Sequence, residues 1–92
     1  MDVIPVFILV PPDALLIDIA GPLEVLRYAN QEQDRVRFDY RYISAAPRQQ
    51  TSIGLMLDGL EPLPDSLPDN AILMISGSLT VGIEEIARDP EL

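Results

Sequence analysis

Val3-Ile4-Pro5-Val6-Phe7-Ile8-Leu9-Val10 is an apolar run of eight residues, ended by Pro11-Pro12-Asp13. Continuous rather than alternating apolarity predicts a strand buried on both faces, the pattern of a parallel sheet. Pro5 has no N–H to donate, so the regular ladder is expected to begin after it. A helix is predicted next, with Ile19, Leu23, Leu26 and Asn30 on one face, Pro22 and Val25 beside it, and Glu24, Arg27 and Gln31 pointing elsewhere. Gly21-Pro22 can be read as a start signal, because proline is tolerated in a first turn, while the helix as a whole is expected to begin near Asp18. Asp18 and Glu24 then lie where a helix N-terminus favours negative charge.

The polar segment Gln31–Arg37 reads as a surface connection. Phe38–Ser44 alternates at its start and predicts a second strand with one wetter face. Ala45-Ala46-Pro47-Arg48 ends it. Thr51–Leu57 reads as a short strand with Gly54 in its middle, one arm of a hairpin or an edge excursion. Asp58–Asp69 holds Pro62, Pro64 and Pro68 without a helical period, and is expected to be a loop. Ala71–Ile75 predicts a third buried strand, closed by Ser76-Gly77-Ser78. Val81–Ala87 opens a final helix with Ile83, Ile86 and Ala87 on one face. Strands alternating with helices in this order predict an α/β fold with a mostly parallel sheet. The chain reads as incomplete, because a doubly wound sheet usually has five or more strands and the last helix has no strand after it.

Composition narrows the function. The chain has 92 residues, with fifteen carboxylates against six cations, a net charge of −9. All six cations are arginine, and there is no lysine, histidine or cysteine. A phosphate-binding surface needs clustered positive charge, so this segment is not expected to bind nucleic acid. Disulfides, thiolate nucleophiles and cysteine or histidine metal sites are excluded. The commonest general base is missing too. Carboxylate sites for Mg²⁺ or Ca²⁺ stay open in principle, but Glu84-Glu85 reads as a solvated helix face, and no metal or cofactor is expected. Eight apolar residues fall well short of the roughly 20 that span a bilayer, and Asp2 stands where a signal peptide carries positive charge. The expected location is cytoplasmic, with no membrane partner. Tyr28, Tyr40 and Tyr42 lack basic neighbours and read as half-buried residues, and Met56 and Met74 read as core filler.

Two segments could carry chemistry. Asp18, set among aliphatic residues just past the end of a buried strand, lies where open α/β sheets place ligands. Partial burial there would suit it to proton transfer, whereas the plainer reading is a helix N-terminal charge. Ser76-Gly77-Ser78 is the second, a strand-end turn whose hydroxyls lack any histidine base.

Asp18-Ile19-Ala20-Gly21-Pro22-Leu23-Glu24-Val25-Leu26 resembles the Asp-Leu-Ala-Gly-Pro-Leu-Glu-Val-Phe segment of the ThiJ/PfpI superfamily. The resemblance is closest to the branch that forms the N-terminal half of AraC-type transcriptional regulators. Val6–Val10 with Pro11 is similar to the family's opening strand, Thr51–Leu57 to its Ser-Ser-Gly-Leu-Xaa-Leu hairpin, and Ile72–Gly77 to its strand ending in Pro-Gly-Gly. The resemblance implies a flavodoxin-like, class I glutamine amidotransferase-like fold, of which residues 1–92 are the N-terminal part. It also implies that Asp18 holds the place of an acidic residue that hydrogen-bonds a nucleophilic cysteine in catalytic relatives. That cysteine would lie beyond residue 92, so Asp18 here is a vestige of the role. By the same resemblance, Ser76-Gly77-Ser78 occupies the place of the turn whose backbone N–H groups line the pocket as oxyanion donors, with Gly77 and Ser78 at the donor positions. Gly77 agrees with the family pattern, while Ser76 and Ser78 depart from it, and Ser78 brings a Cβ where glycine allows close approach.

Three functions follow. The first is the ligand-sensing and dimerising domain of a regulator, binding a small molecule, with helix-turn-helix units further on. The second is a fragment of a hydratase or hydrolase. The third is a self-sufficient small α/β protein.

Overall fold

The computed structural model describes residues 1–79, and the helix expected over Val81–Ala87 lies outside them. The elements are β1 (Asp2–Leu9), α1 (Leu16–Glu32), β2 (Val36–Ser44), β3 (Gln49–Gln50), β4 (Met56–Leu57), β5 (Glu61–Pro62) and β6 (Ile72–Ile75). Four strands form a parallel sheet in the order β5-β2-β1-β6, and β3 and β4 form a separate antiparallel pair. The α/β class with a parallel sheet is as expected.

β1 is central because its sequence can be buried on both faces. Val6, Ile8 and Val10 are fully buried beneath α1, and Leu9 packs with Ile43 on the opposite face. The ladder does not wait for Pro5. It starts at Asp2, paired with Val36. The N–H of Asp2 reaches Arg35 O at 3.0 Å and that of Val10 reaches Ile43 O at 2.9 Å, so even-numbered residues bond towards β2. Pro5 therefore faces β6, whose pairing with β1 begins only at Val6. Its missing donor falls beside the open end of that ladder, where nothing needs it.

α1 starts at Leu16, close to the start expected near Asp18. Gly21-Pro22 is not its first turn: Leu15 is the N-cap, and Pro22 lies inside the helix. The cost is confined, because a proline at the seventh helical residue leaves only the Asp18 carbonyl without its i+4 donor. Ile19 and Leu23 are buried against the sheet, with Leu26 packed beside them. Asn30 continues that face as a polar fastener. Its Nδ2 donates to Phe38 O at 2.9 Å, and its Oδ1 accepts the Phe38 N–H at 2.8 Å. Gln33 closes the helix end by donating to Ala29 O and accepting the Val36 N–H, both at 3.0 Å.

β2 shows the expected alternation from Val36 to Tyr42, half-buried on the α1 side and exposed on the other, before Ile43 and Ser44 are both buried. Four expectations about the later segments need correcting. Thr51–Leu57 is not one strand: Thr51–Leu55 is the turn of the β3–β4 hairpin, with Gly54 at φ 84°. Only Gly adopts that backbone freely. Within the loop Asp58–Asp69, Glu61–Pro62 adds a short strand beside Ile43–Ser44. Among the described residues β6 is an edge strand, and Ile72, Leu73 and Ile75 are exposed rather than buried. Met56 is likewise exposed, whereas Met74 packs against the core.

Candidate functional site

The chain leaves β1 to build β2 on one side and later returns to build β6 on the other. The C-terminal end of β1 is therefore a topological switch point, the crevice in which open α/β sheets bind ligands. Asp18, Ser76, Gly77 and Ser78, the residues of the two segments singled out for chemistry, meet around the connection from Val10 to Leu15.

That connection is braced on both sides. Ser44, at the end of β2, donates its hydroxyl to Val10 O at 2.7 Å and accepts Gln49 Nε2 at 3.0 Å. The Asp13 N–H reaches Gln50 O, and Ala14 O accepts the Ser52 N–H, each at 2.9 Å. From the β6 side, Leu15 N–H donates to Gly77 O at 2.9 Å, Leu79 N–H donates to Asp13 O at 3.2 Å, and the Ser78 hydroxyl donates to Pro12 O. Ala14 has no exposed surface and bridges Thr51 on one side and Ser78 on the other. The turn is tight enough to hold Asp13 at φ 53°, a left-handed conformation that Asp tolerates better than most residues.

Asp18 sits in the first turn of α1, and its Oδ2 accepts the Gly77 N–H at 2.9 Å. The two residues named as site candidates are thus in direct contact. Asp18 is exposed, so the partial burial expected of a proton-transfer group is absent. Gly77 is glycine for a spatial reason: a Cβ there would stand 2.7 Å from Asp18 Oδ2 and 3.2 Å from Leu15 Cδ1. Its amide, the expected oxyanion donor, points into the Asp18 carboxylate. Ser76 is buried and its hydroxyl lies 2.9 Å from Gly77 O and 3.3 Å from Leu15 O. Its single proton serves one of those carbonyls at a time, which makes it a turn brace rather than an activated nucleophile.

The three buried polar residues among those described, Ser44, Thr51 and Ser76, all lie at this end of the sheet. Thr51 Oγ1 is buried without a hydrogen-bond partner. Reading the sequence did not single out Ser44, Gln49 or Ser52 for the site. Their only signal was position at a strand end. Their partners, the Val10 carbonyl for Ser44, the Ser44 hydroxyl for Gln49 and the Ala14 carbonyl for the Ser52 N–H, are distant or irregular contacts that a residue pattern cannot name.

Beside this constellation, the first turn of α1 and the hairpin tip enclose an open cleft of about 370 Å³, lined by Leu15, Leu16, Ile17, Ala20, Ser52 and Ile53. Deeper along the helix, Tyr40 and Tyr42 meet edge to face at 6.3 Å. Burial, followed by the neighbouring Tyr40 and Glu24, raises the Tyr42 phenol above its ordinary value. Among the described residues, no cluster of acidic, histidine or cysteine side chains is arranged to hold a metal ion, and no helix is long and apolar enough to cross a membrane.

The fold and this crevice define an α/β chain with a switch-point site. No protein-family model matches the chain, and no curated protein matches its sequence.

Proposed function

We propose that the chain is the ligand-sensing and dimerising part of an AraC-type transcriptional regulator, and the N-terminal portion of a ThiJ/PfpI-like domain. It neither binds DNA nor catalyses a reaction by itself, and it takes a small-molecule ligand at the switch point. The carrying observation is the contact between Asp18 Oδ2 and Gly77 N, 2.9 Å long, at the C-terminal end of the central strand. It joins the two segments whose wording resembles the family, in the crevice where such folds bind ligands. The order β2-β1-β6 also accords with a flavodoxin-like, class I glutamine amidotransferase-like sheet, whose first three strands run in that order. A carboxylate tied to a backbone amide, in a chain with no cysteine or histidine, suits a binding role better than turnover.

The same contact favours a second reading, a fragment of an isocyanide hydratase-like or amidase-like enzyme, because the acidic residue and glycine turn of such a site stand together. Sequencing the gene past codon 92 separates the two. A strand-to-helix elbow carrying cysteine supports the enzyme, and a following arginine-rich helical region supports the regulator. The direct test is a mobility shift at low salt. The 92-residue chain should leave DNA unretarded and the longer product should retard its operator. Salt-sensitive retardation by the short chain overturns the assignment, since phosphate neutralisation carries non-specific affinity.

A further inference from the structure

We infer that the cleft between the first turn of α1 and the hairpin tip is a binding site for a neutral, mainly hydrocarbon group carrying at most one hydrogen-bonding function. The inference rests on the ligand-binding reading above and specifies the chemistry of the ligand. The cleft opens beside the Asp18–Gly77 contact at the same end of the sheet and shares Leu15 with it, although neither Asp18 nor Gly77 lines it.

Its walls define the class. Five of the six lining residues are Leu15, Leu16, Ile17, Ala20 and Ile53, and the sixth, Ser52, supplies a single hydroxyl. No charged side chain is among them, so no side-chain charge there would compensate a desolvated carboxylate, phosphate or ammonium group. The chain's net charge of −9 further repels anions at long range. About 370 Å³ falls at the small end of the roughly 300–1,000 Å³ of small-molecule sites.

The cleft is also built in advance. The hairpin tip is closed by Thr51 N–H to Leu55 O at 2.8 Å and Gly54 N–H to Thr51 O at 3.0 Å, and is tied to the β1 connection through Ser52 N–H to Ala14 O at 2.9 Å. On the opposite wall, the helix start is tied to β6 by Leu15 N–H to Gly77 O and by the Asp18 carboxylate. Both walls therefore hold their separation without a ligand, which lowers the ordering cost of binding. The two rim residues, Ile17 and Ile53, are each 73 % exposed. An apolar guest between them removes both from water, the main source of affinity in such a site.

The test is fluorescence titration of the 92-residue chain with the neutral probe N-phenyl-1-naphthylamine and, in parallel, the anionic 8-anilinonaphthalene-1-sulfonate. The neutral probe should bind saturably and more tightly than the anion. Ala20→Phe fills the cleft from an exposed helix position and should weaken the neutral probe at least about tenfold, the equivalent of roughly 1.4 kcal/mol. Leu73→Lys, on the bare face of β6, should leave binding unchanged. If Ala20→Phe disturbs the circular dichroism spectrum, Ile53→Asp at the rim replaces it with the same expected loss. Binding that is lost with Leu73→Lys and kept with the cleft variants overturns the inference. So does equal affinity for the anion, or a chain whose self-association is abolished by Ile53→Asp, which would make the cleft a contact between copies. Operator retardation by the longer product is a separate readout. If it persists while the neutral probe fails, only the ligand class is wrong.

Discussion

Asp18 Oδ2 and Gly77 N stand 2.9 Å apart across 59 residues of chain, and a Cβ on Gly77 would lie 2.7 Å from that same oxygen. Gly77→Ala must therefore move either the carboxylate or the turn, and is expected to cost about 1–2 kcal/mol. The measurement is a fall in urea midpoint at unchanged m. Asp18→Asn keeps a carbonyl acceptor and should cost less than Asp18→Ala. Identical midpoints for Gly77→Ala and the parent would show that the contact does not hold α1 to β6.

Asn30 is the second fastener. It pairs both its amide groups with the Phe38 backbone, at 2.9 and 2.8 Å, in a half-buried setting. Asn30→Ala leaves that N–H and C=O without their partner and should lower stability by about 2 kcal/mol. Asn30→Asp can still accept from the N–H but sets a carboxylate against the Phe38 carbonyl, so it should be no better than alanine at neutral pH and recover as the pH falls. Thermal unfolding of the two variants at neutral and acidic pH decides this.

Tyr42 gives a pH dependence on the alkaline side. Burial first, then Tyr40 and Glu24, raise its folded-state value above 10.0. The unfolded chain thus ionises this phenol first, and the contribution is present below the ordinary tyrosine value and lost as pH rises through the folded one. Tyr42→Phe should therefore show a shallower loss of stability above about pH 10 than the parent in denaturant titrations. Parallel losses in the two proteins would contradict the sign.

The fourth expectation concerns β6. Ile72, Leu73 and Ile75 are exposed on a strand whose outer edge pairs with no other described strand. An apolar edge without a charge, proline or bulge recruits other strands. The 92-residue chain should sediment as a concentration-dependent mixture, and Leu73→Lys should shift it towards monomer. A single monomeric species at high concentration in the parent would count against this.

Much of the fold was legible because its signals are periodic. The apolar run around Val6–Val10 marked a strand buried on both faces, and Ile19, Leu23, Leu26 and Asn30 marked the inner face of α1. The misreadings came from residues whose meaning depends on a neighbour. By residue type alone Pro5 delays the ladder, yet its N atom faces the side where β6 has not begun. Gly21-Pro22 carries a helix-start signal, yet the helix gains enough from burying Ile19 and Leu23 to begin at Leu16 and absorb one missing bond.

The candidate site divides along the same line. Asp18 and Gly77 could be singled out from residue type and from position beside strand ends, because chemistry and local turns are written in short stretches. Their contact could not, since it depends on β6 returning to lie beside β1, a long-range pairing that no local pattern encodes. The exposure of Asp18, the direction of the Gly77 amide, the bracing of Val10–Leu15 by Ser44, Ser52 and Ser76, and the apolar cleft between helix and hairpin have the same origin. Each is set by which backbone groups meet once the sheet order is chosen, and composition and periodicity carry no record of that choice.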